Sequence, residues 1–454
     1  MSKSYEMDMV NGSLWSKIMI YALPLIITSI LQLMFNASDI IIVGKYSGET
    51  ALAAVGSTSS LINLLVHLFL GISIGVNVLV GRYYGAKEND NMHQVVHSAI
   101  LLAILSGFLM IFVGGAVAKP VLQIMSTPQD VINQSTLYMR IYFCGMPGFM
   151  VFNFGAAVLR GIGDTKRPLY ALGISGIVNV VLNYICVRYL HMGVAGVAIT
   201  TVISQYLSAV FIIWFLVNTE GAYKLDFKKL RFYKSKVTLM LTIGIPAGIE
   251  GALFSISNVL IQSSINSFGS VAMAGNTAAV NAEGFLNASV TAFGQSALTF
   301  ISQNMGAGKY ERINKILFRC IVLGLIIAGV FGWLIYFNGE RVLSIYTNNS
   351  EVIANGMLRI RVVMRFYIVF GIMNVMVSVI RGLGYSLFPT IVSLIGVCVF
   401  RVVWVYTAFE WYRSLDTLYI SYPISWATTG IVLIIIYIIL MKTKIKRLKM
   451  LKEK

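Results

Sequence analysis

The sequence predicts an all-α integral membrane protein: twelve transmembrane helices in two six-helix lobes. Three observations predict it. Of 454 residues, 57% are apolar and only 12% are charged, where a soluble domain carries roughly 25% charge. The charges leave gaps wide enough for a helix to cross a bilayer. The second half of the chain also repeats the first. So few charges cannot solvate a globular surface of this size, which argues against an ordinary soluble enzyme. The net charge of +17 on so apolar a chain points to anionic lipid and membrane topology rather than nucleic acid.

Taken in order, the twelve spans cover residues 17–43, 52–80, 94–118, 132–158, 168–188, 193–217, 237–265, 271–300, 316–338, 355–380, 387–409 and 418–441. Their apolar runs are continuous. A membrane barrel would show shorter alternating segments, and helices and closed barrels are the two ways to satisfy a backbone in lipid. The segment before span 1 is polar and acidic, and span 1 is long enough to cross. No cleavable signal peptide is therefore expected.

Lys and Arg set the orientation. The even-numbered loops and both termini hold 24 of the 35, and the odd loops hold five: Lys45, Lys119, Arg188, Arg341 and Arg413. That asymmetry puts both termini in the cytoplasm of a multi-pass protein of the cell membrane. It also requires an even number of spans. Cys144, Cys186, Cys320 and Cys398 lie in apolar spans with no CxxC pattern and are expected to be buried thiols.

A shift of about 221 residues lays the first half on the second. Pro24 answers Pro246, Asn36 answers Asn258, and Gly85-Ala86 answers Gly306-Ala307. Arg160-Gly161-Ile162-Gly163 with Pro168 answers Arg381-Gly382-Leu383-Gly384 with Pro389. Six spans in each half make the repeats parallel, and in secondary transporters such halves flank a site near the bilayer midplane. The expected division is an N-terminal lobe over 1–217, a basic linker over 218–236, a C-terminal lobe over 237–441 and a basic cytoplasmic tail over 442–454.

Three acids lie well inside spans: Asp39, Glu250 and Glu283. A carboxylate at the bilayer centre costs at least ~2.5 kcal/mol on insertion scales, so each is a functional candidate. Such a group can load and release a proton, or bind Na⁺ when ionised. Thr28, Gln32, Asn36 and Asp39 are spaced to share one face of span 1, downstream of Pro24, which removes a backbone bond and favours a bend. The alternative for that face is a polar seam that locks span 1 to its neighbours. Glu250 follows Pro246 by one turn, as a second cation-binding carboxyl or as a partner for backbone freed by the proline. Glu283 and Asn287 match Asn63 and His67 at a shift of about 220, and all four are candidates for a substrate-facing cleft. Asn179 and Asn183 sit one turn apart on span 5, as ion ligands or as helix–helix glue.

Other signals are weak. His93 and His97 have metal-ligand spacing but no evident third ligand. Gly161-Ile162-Gly163-Asp164 matches an aspartyl protease string without its partner motif. No GxxxxGK[ST] loop exists to cradle ATP phosphates, so pumping would need an ion gradient or another subunit.

The residues resemble the multidrug and toxic compound extrusion (MATE) transporters, over essentially the whole chain. The resemblance rests on Pro24, Gln32, Asp39, Val43-Gly44 and Gly48 followed by Leu52-Ala53-Ala54-Val55-Gly56. It rests also on Arg160 to Pro168 and on Ser302-Gln303-Asn304-Met305-Gly306-Ala307-Gly308. The resemblance implies a V of two lobes and alternating access driven by H⁺ or Na⁺. It implies export of amphipathic organic cations, with no cofactor beyond the coupling ion. In the DinF-like branch it places the ion site, for H⁺ or Na⁺, at Asp39, Asn179, Asn183 and Thr201. The family's usual residue at the Asn183 position is Asp. The NorM-like branch has an acid in span 10, which this sequence lacks, so the C-terminal ion site of that branch is half matched.

The mechanism expected is loading of the ion at Asp39, bending of span 1 at Pro24 and release of substrate outside, by a chain able to act as a monomer. The rival class is a lipid-linked saccharide flippase of the same superfamily, which would want a cationic cavity. Here Arg401 is read as the one deep cation, Arg359 as lying nearer the outer side, and Glu250 and Glu283 as supplying negative charge. A third class, an intramembrane enzyme, lacks a catalytic cluster.

Overall fold

A computed structural model describes residues 5–124, 127–445 and 448 of the chain. Among these the secondary structure is helical, with no strand. The principal helices are α1 (Leu14–Tyr46), α2 (Glu49–Ala86), α3 (Asn89–Ile124), α4 (Gln129–Cys144), α5 (Met146–Gly161), α6 (Lys166–Arg188), α7 (Gly193–Val217), α8 (Lys234–Asn266) and α9 (Ser270–Gly306). They continue with α10 (Ile313–Phe337), the short α11 (Gly339–Ser344), α12 (Ser350–Val363), α13 (Tyr367–Gly382), α14 (Leu387–Ser393), α15 (Phe400–Tyr406), α16 (Ala408–Trp411) and α17 (Leu415–Leu440).

Among the described residues ten helical segments are long and apolar enough to cross a membrane, and eleven if α4 and α5, bent by 48° at Gly145, form one span. The expected count was twelve. The remaining segment, 271–300, lies wholly within the 37-residue α9, which is long enough but too rich in Gly, Ser and Asn to qualify. α9 packs against α10, α12 and α13. The last span also differs from expectation at its end. Met441–Ile445 winds as a π turn, while 446–447 and 449–454, most of the basic tail, lie outside the described residues.

Compactness divides the chain into Met1–Asp8 with Ile27–Gly248, and Met9–Ile26 with Ile249–Lys454. The divisions fall inside α1 and α8, two residues past Pro24 and Pro246, rather than in the 218–236 linker. Both helices run through their prolines without a break.

In the first unit α5 is central, packed on α2, α3 and α7, with Met150, Phe154 and Val158 fully buried. The N-terminal part of α8 belongs here. Lys236 donates to the Tyr83 hydroxyl at 3.0 Å and to Asn91 Oδ1 at 2.5 Å. A Cβ at Gly244 would come within 2.9 Å of the Gly71 carbonyl, so this crossing needs small residues.

In the second unit Phe293, Phe300, Tyr367 and Tyr419 are fully buried. The start of α1 is tied in by Tyr21, whose hydroxyl lies 2.9 Å from Thr299 Oγ1. Asn304 donates to the Met9 carbonyl at 3.1 Å. Between α14 and α15 the helix widens to a π turn over Leu394–Val399. Such turns accommodate an additional residue and often mark functional sites.

The repeated motif folds alike in both units. Gly163 and Gly384 adopt φ of +96° and +95°, a left-handed helix stop that glycine alone adopts freely. Their amides bond back to Arg160 at 3.0 Å and Arg381 at 2.8 Å.

Candidate functional site

In the first unit, α1 and α6 bring Asp39 and Asn183 together. Asn183 Nδ2 donates to Asp39 Oδ1 at 2.6 Å. The amide is fully buried and the carboxyl half-buried. Asn183 Oδ1 is buried with no hydrogen-bond partner, an acceptor held ready beside a carboxylate. Asn179 is buried one turn earlier on α6. Thr201, on α7, turns its hydroxyl to the Val197 carbonyl at 2.8 Å. Of the four residues the resemblance assigned to an ion, two are thus joined by a direct bond. Tyr138 and Tyr142, on α4, lie within electrostatic reach of Asp39. Sequence reasoning did not single them out.

The polar face expected on span 1 is not uniform. Thr28 is buried and Asp39 half-buried, but Gln32 and Asn36 are exposed. On α2, Asn63 is exposed and His67 half-buried.

The second unit corrects the charge expected of it. Glu250 is paired with Arg381 at 2.5 Å, with Thr390 and Ser393 beside its carboxyl. Glu283 is paired with Arg359, whose Nη2 and Nε lie 2.7 and 3.1 Å from Oε2. Neither carboxylate supplies free negative charge. Arg401 is also not the one deep cation, because Arg359 and Arg381 are buried too. These arginines come from helices far along the chain, and helical spacing carries no signal of such pairings.

A pocket of about 340 Å³ opens in this unit, with Glu283, Asn287, Arg359 and Arg401 among its lining residues. Asn258 and Gln262 of α8 line it as well. Two of the cleft candidates from the sequence, Glu283 and Asn287, therefore do share a cavity.

A family model, MatE, matches the chain twice, over residues 24–185 and 246–407. The two matches begin at the paired prolines Pro24 and Pro246. The chain belongs to the MatE family. The Probable multidrug resistance protein YoeA of Bacillus subtilis is 28% identical over 94% of this chain and 93% of its own. The Probable multidrug resistance protein NorM of Thermotoga maritima is 24% identical over 84% and 82%. A solved structure described as the outward-facing conformation of a multidrug resistance MATE family transporter shares the fold with a TM-score of 0.89 at 19% identity. It covers 97% of this chain and 98% of that one. The solved relative is described as a transporter and the two Bacillus and Thermotoga relatives as multidrug resistance proteins, and this MatE chain is a multi-pass membrane protein.

The strings that suggested the MatE resemblance have structural work to do. Asp164 Oδ1 accepts the amides of Lys166 and Arg167 at 3.0 and 3.1 Å, capping α6. Its other oxygen is ion-paired with the Arg167 side chain. Arg167 also donates to the Tyr223 hydroxyl at 3.2 Å, and Tyr223 donates to Glu6 at 3.1 Å. Burial pushes the Tyr223 phenol above its ordinary value, which keeps it a donor. This MatE loop thus latches the N-terminal segment and the linker to α6. His97 is likewise structural. Its Nδ1 donates to the His93 carbonyl at 2.8 Å and its Nε2 accepts the Asp226 amide at 3.0 Å. No group of three metal-binding side chains occurs among the described residues.

The thiols depart in part from expectation. Cys320 and Cys398 are buried, but Cys186 is half-buried and Cys144, at the α4–α5 bend, is exposed.

Proposed function

We propose that this MatE protein is an ion-coupled exporter of small amphipathic molecules, driven by H⁺ or Na⁺ moving through Asp39. The observation that carries the reading is the bond from Asn183 to Asp39. Glu250 and Glu283 are neutralised by arginine. Asp39 has no such ion pair among the described residues and is free to exchange a cation. When it is ionised, its bond to Asn183 is charge-assisted and roughly twice as strong as a neutral one. Loading a proton removes that charge. The unpartnered Asn183 oxygen suits the loaded state, because it can accept a carboxyl O–H or face Na⁺. Loading therefore changes what holds α1 to α6, which is the element alternating access needs.

The cargo class implied by the resemblance is organic cations. In this chain a cation would find its counter-charge at Asp39 and compete there with the coupling ion. The names of the relatives support a broad range of small molecules. The working arrangement is a monomer in the cell membrane with both termini cytoplasmic. The test is efflux by purified protein in liposomes with imposed H⁺ or Na⁺ gradients. One gradient should drive efflux of an ethidium-like cation. Undiminished efflux by Asp39→Asn would remove the proposed role.

A further inference from the structure

The pocket in the second unit carries charge that does not balance, and it carries it where water is scarce. Arg401 is 2% exposed and lines the pocket. Its Nε donates to Ser425 Oγ at 3.2 Å, and its guanidinium lies 4.0 Å from the centre of the Tyr422 ring. Among the described residues no carboxylate is ion-paired with it. The nearby acid, Glu283, is committed to Arg359. Arg359 spends its third nitrogen on Asn276 Oδ1 at 3.1 Å and lies 4.8 Å from the same Tyr422 ring. Two guanidinium groups thus share one ring, and the one nearby carboxylate is taken by Arg359. A buried charge without a partner is costly, and an anion from outside would balance it.

We propose that this pocket binds small aromatic carboxylates, and that Arg401 receives the carboxylate. The planar guanidinium matches a carboxylate in shape and charge. Phe254, Phe370, Tyr422 and Trp426 line the same cavity, and Phe370 and Tyr422 contact Trp426 at ring separations of 5.2 and 5.9 Å. They supply the apolar walls for a ring. A volume of about 340 Å³ lies at the low end of small-molecule pockets, roughly 300–1,000 Å³. It suits a molecule of one or two rings and is too small for a lipid-linked saccharide.

The repeat sets the two ionisable groups at different places. The two family matches begin at 24 and 246 and end at 185 and 407, an offset of 222 residues at both ends. At that offset Arg401 falls in register with Asn179, and Ile261, another pocket residue, falls in register with Asp39. The second half therefore lacks the acid of the first and carries a base where the first has an amide. The inference goes beyond the ion-coupled reading and does not depend on which ion drives transport.

The experiment is a binding titration of the full-length protein in lipid nanodiscs, without any gradient. The probes are 2-naphthoate and the matched cation 2-naphthylmethylammonium, followed by calorimetry. Naphthoate is expected to bind at least tenfold more tightly than the ammonium. Arg401→Gln should lower naphthoate affinity at least tenfold, and Arg401→Lys should lower it less. Equal affinities, or a preference for the ammonium, would overturn the proposal even if no Arg401 variant folds. So would unchanged naphthoate binding in a folded Arg401→Gln protein. Because no transport is measured, failure of ion coupling at Asp39 would leave this result standing.

Discussion

Arg381 reaches across 131 residues of sequence to set its Nη2 2.5 Å from the carboxylate of Glu250. Both side chains are about nine-tenths buried. Such a pair adds little net stability over an apolar replacement, but removing one partner strands the other charge, at a cost of about 3–5 kcal/mol. Glu250→Gln and Arg381→Met should each lower the thermal midpoint of the purified protein sharply. The double variant should recover most of the loss. A double variant as unstable as the sum of the singles would show that the two charges do not act as a pair.

Asp39→Asn keeps the shape of the side chain and removes its charge. Gradient-driven efflux should fall by about tenfold or more, equivalent to ~1.4 kcal/mol, with little change in thermal stability. Asn183→Asp supplies a second carboxylate beside Asp39. It should lower the concentration of coupling ion at which efflux is half-maximal, as measured in liposomes over a range of external Na⁺ and pH.

The loop latch predicts a different pattern. Asp164→Ala removes both the α6 cap and the partner of Arg167. A lost cap costs about 0.5–2 kcal/mol, and an unpaired buried guanidinium adds to that. The readout is limited proteolysis of detergent-solubilised protein. Cleavage near Glu6 and in the 218–236 linker should accelerate, because Tyr223 and Glu6 depend on Arg167. Cleavage unchanged at both sites would mean that the latch does not hold these segments.

Gly163→Ala tests the helix stop. At a φ of +96° a side chain costs about 1–2 kcal/mol, and the new Cβ would also meet the Met7 amide at 2.9 Å. A clear drop in thermal midpoint is expected. Gly173→Ala, where nothing lies within 4 Å of an added Cβ, should match the wild type.

The membrane class, the helical spans and the repeat were legible in the sequence, because each is a property of composition or spacing along the chain. Pro24, Pro246 and the paired Arg-Gly-x-Gly strings are the same residues that open the family matches and close helices with left-handed glycines. The span over 271–300 was the exception, because the Gly, Ser and Asn content of α9 keeps it less apolar than the other spans.

Only the tertiary structure decided what the charges do. Read singly, Asp39, Glu250 and Glu283 are alike: an acid inside an apolar run. Their difference lies in partners 144, 131 and 76 residues away. An amide bonds Asp39, while arginines neutralise the other two. Hydropathy and period record each residue's own preference for water or lipid. The charge state of a site depends on which distant side chains the fold brings within a few ångströms, where the Coulomb energy in a medium of low dielectric outweighs that preference.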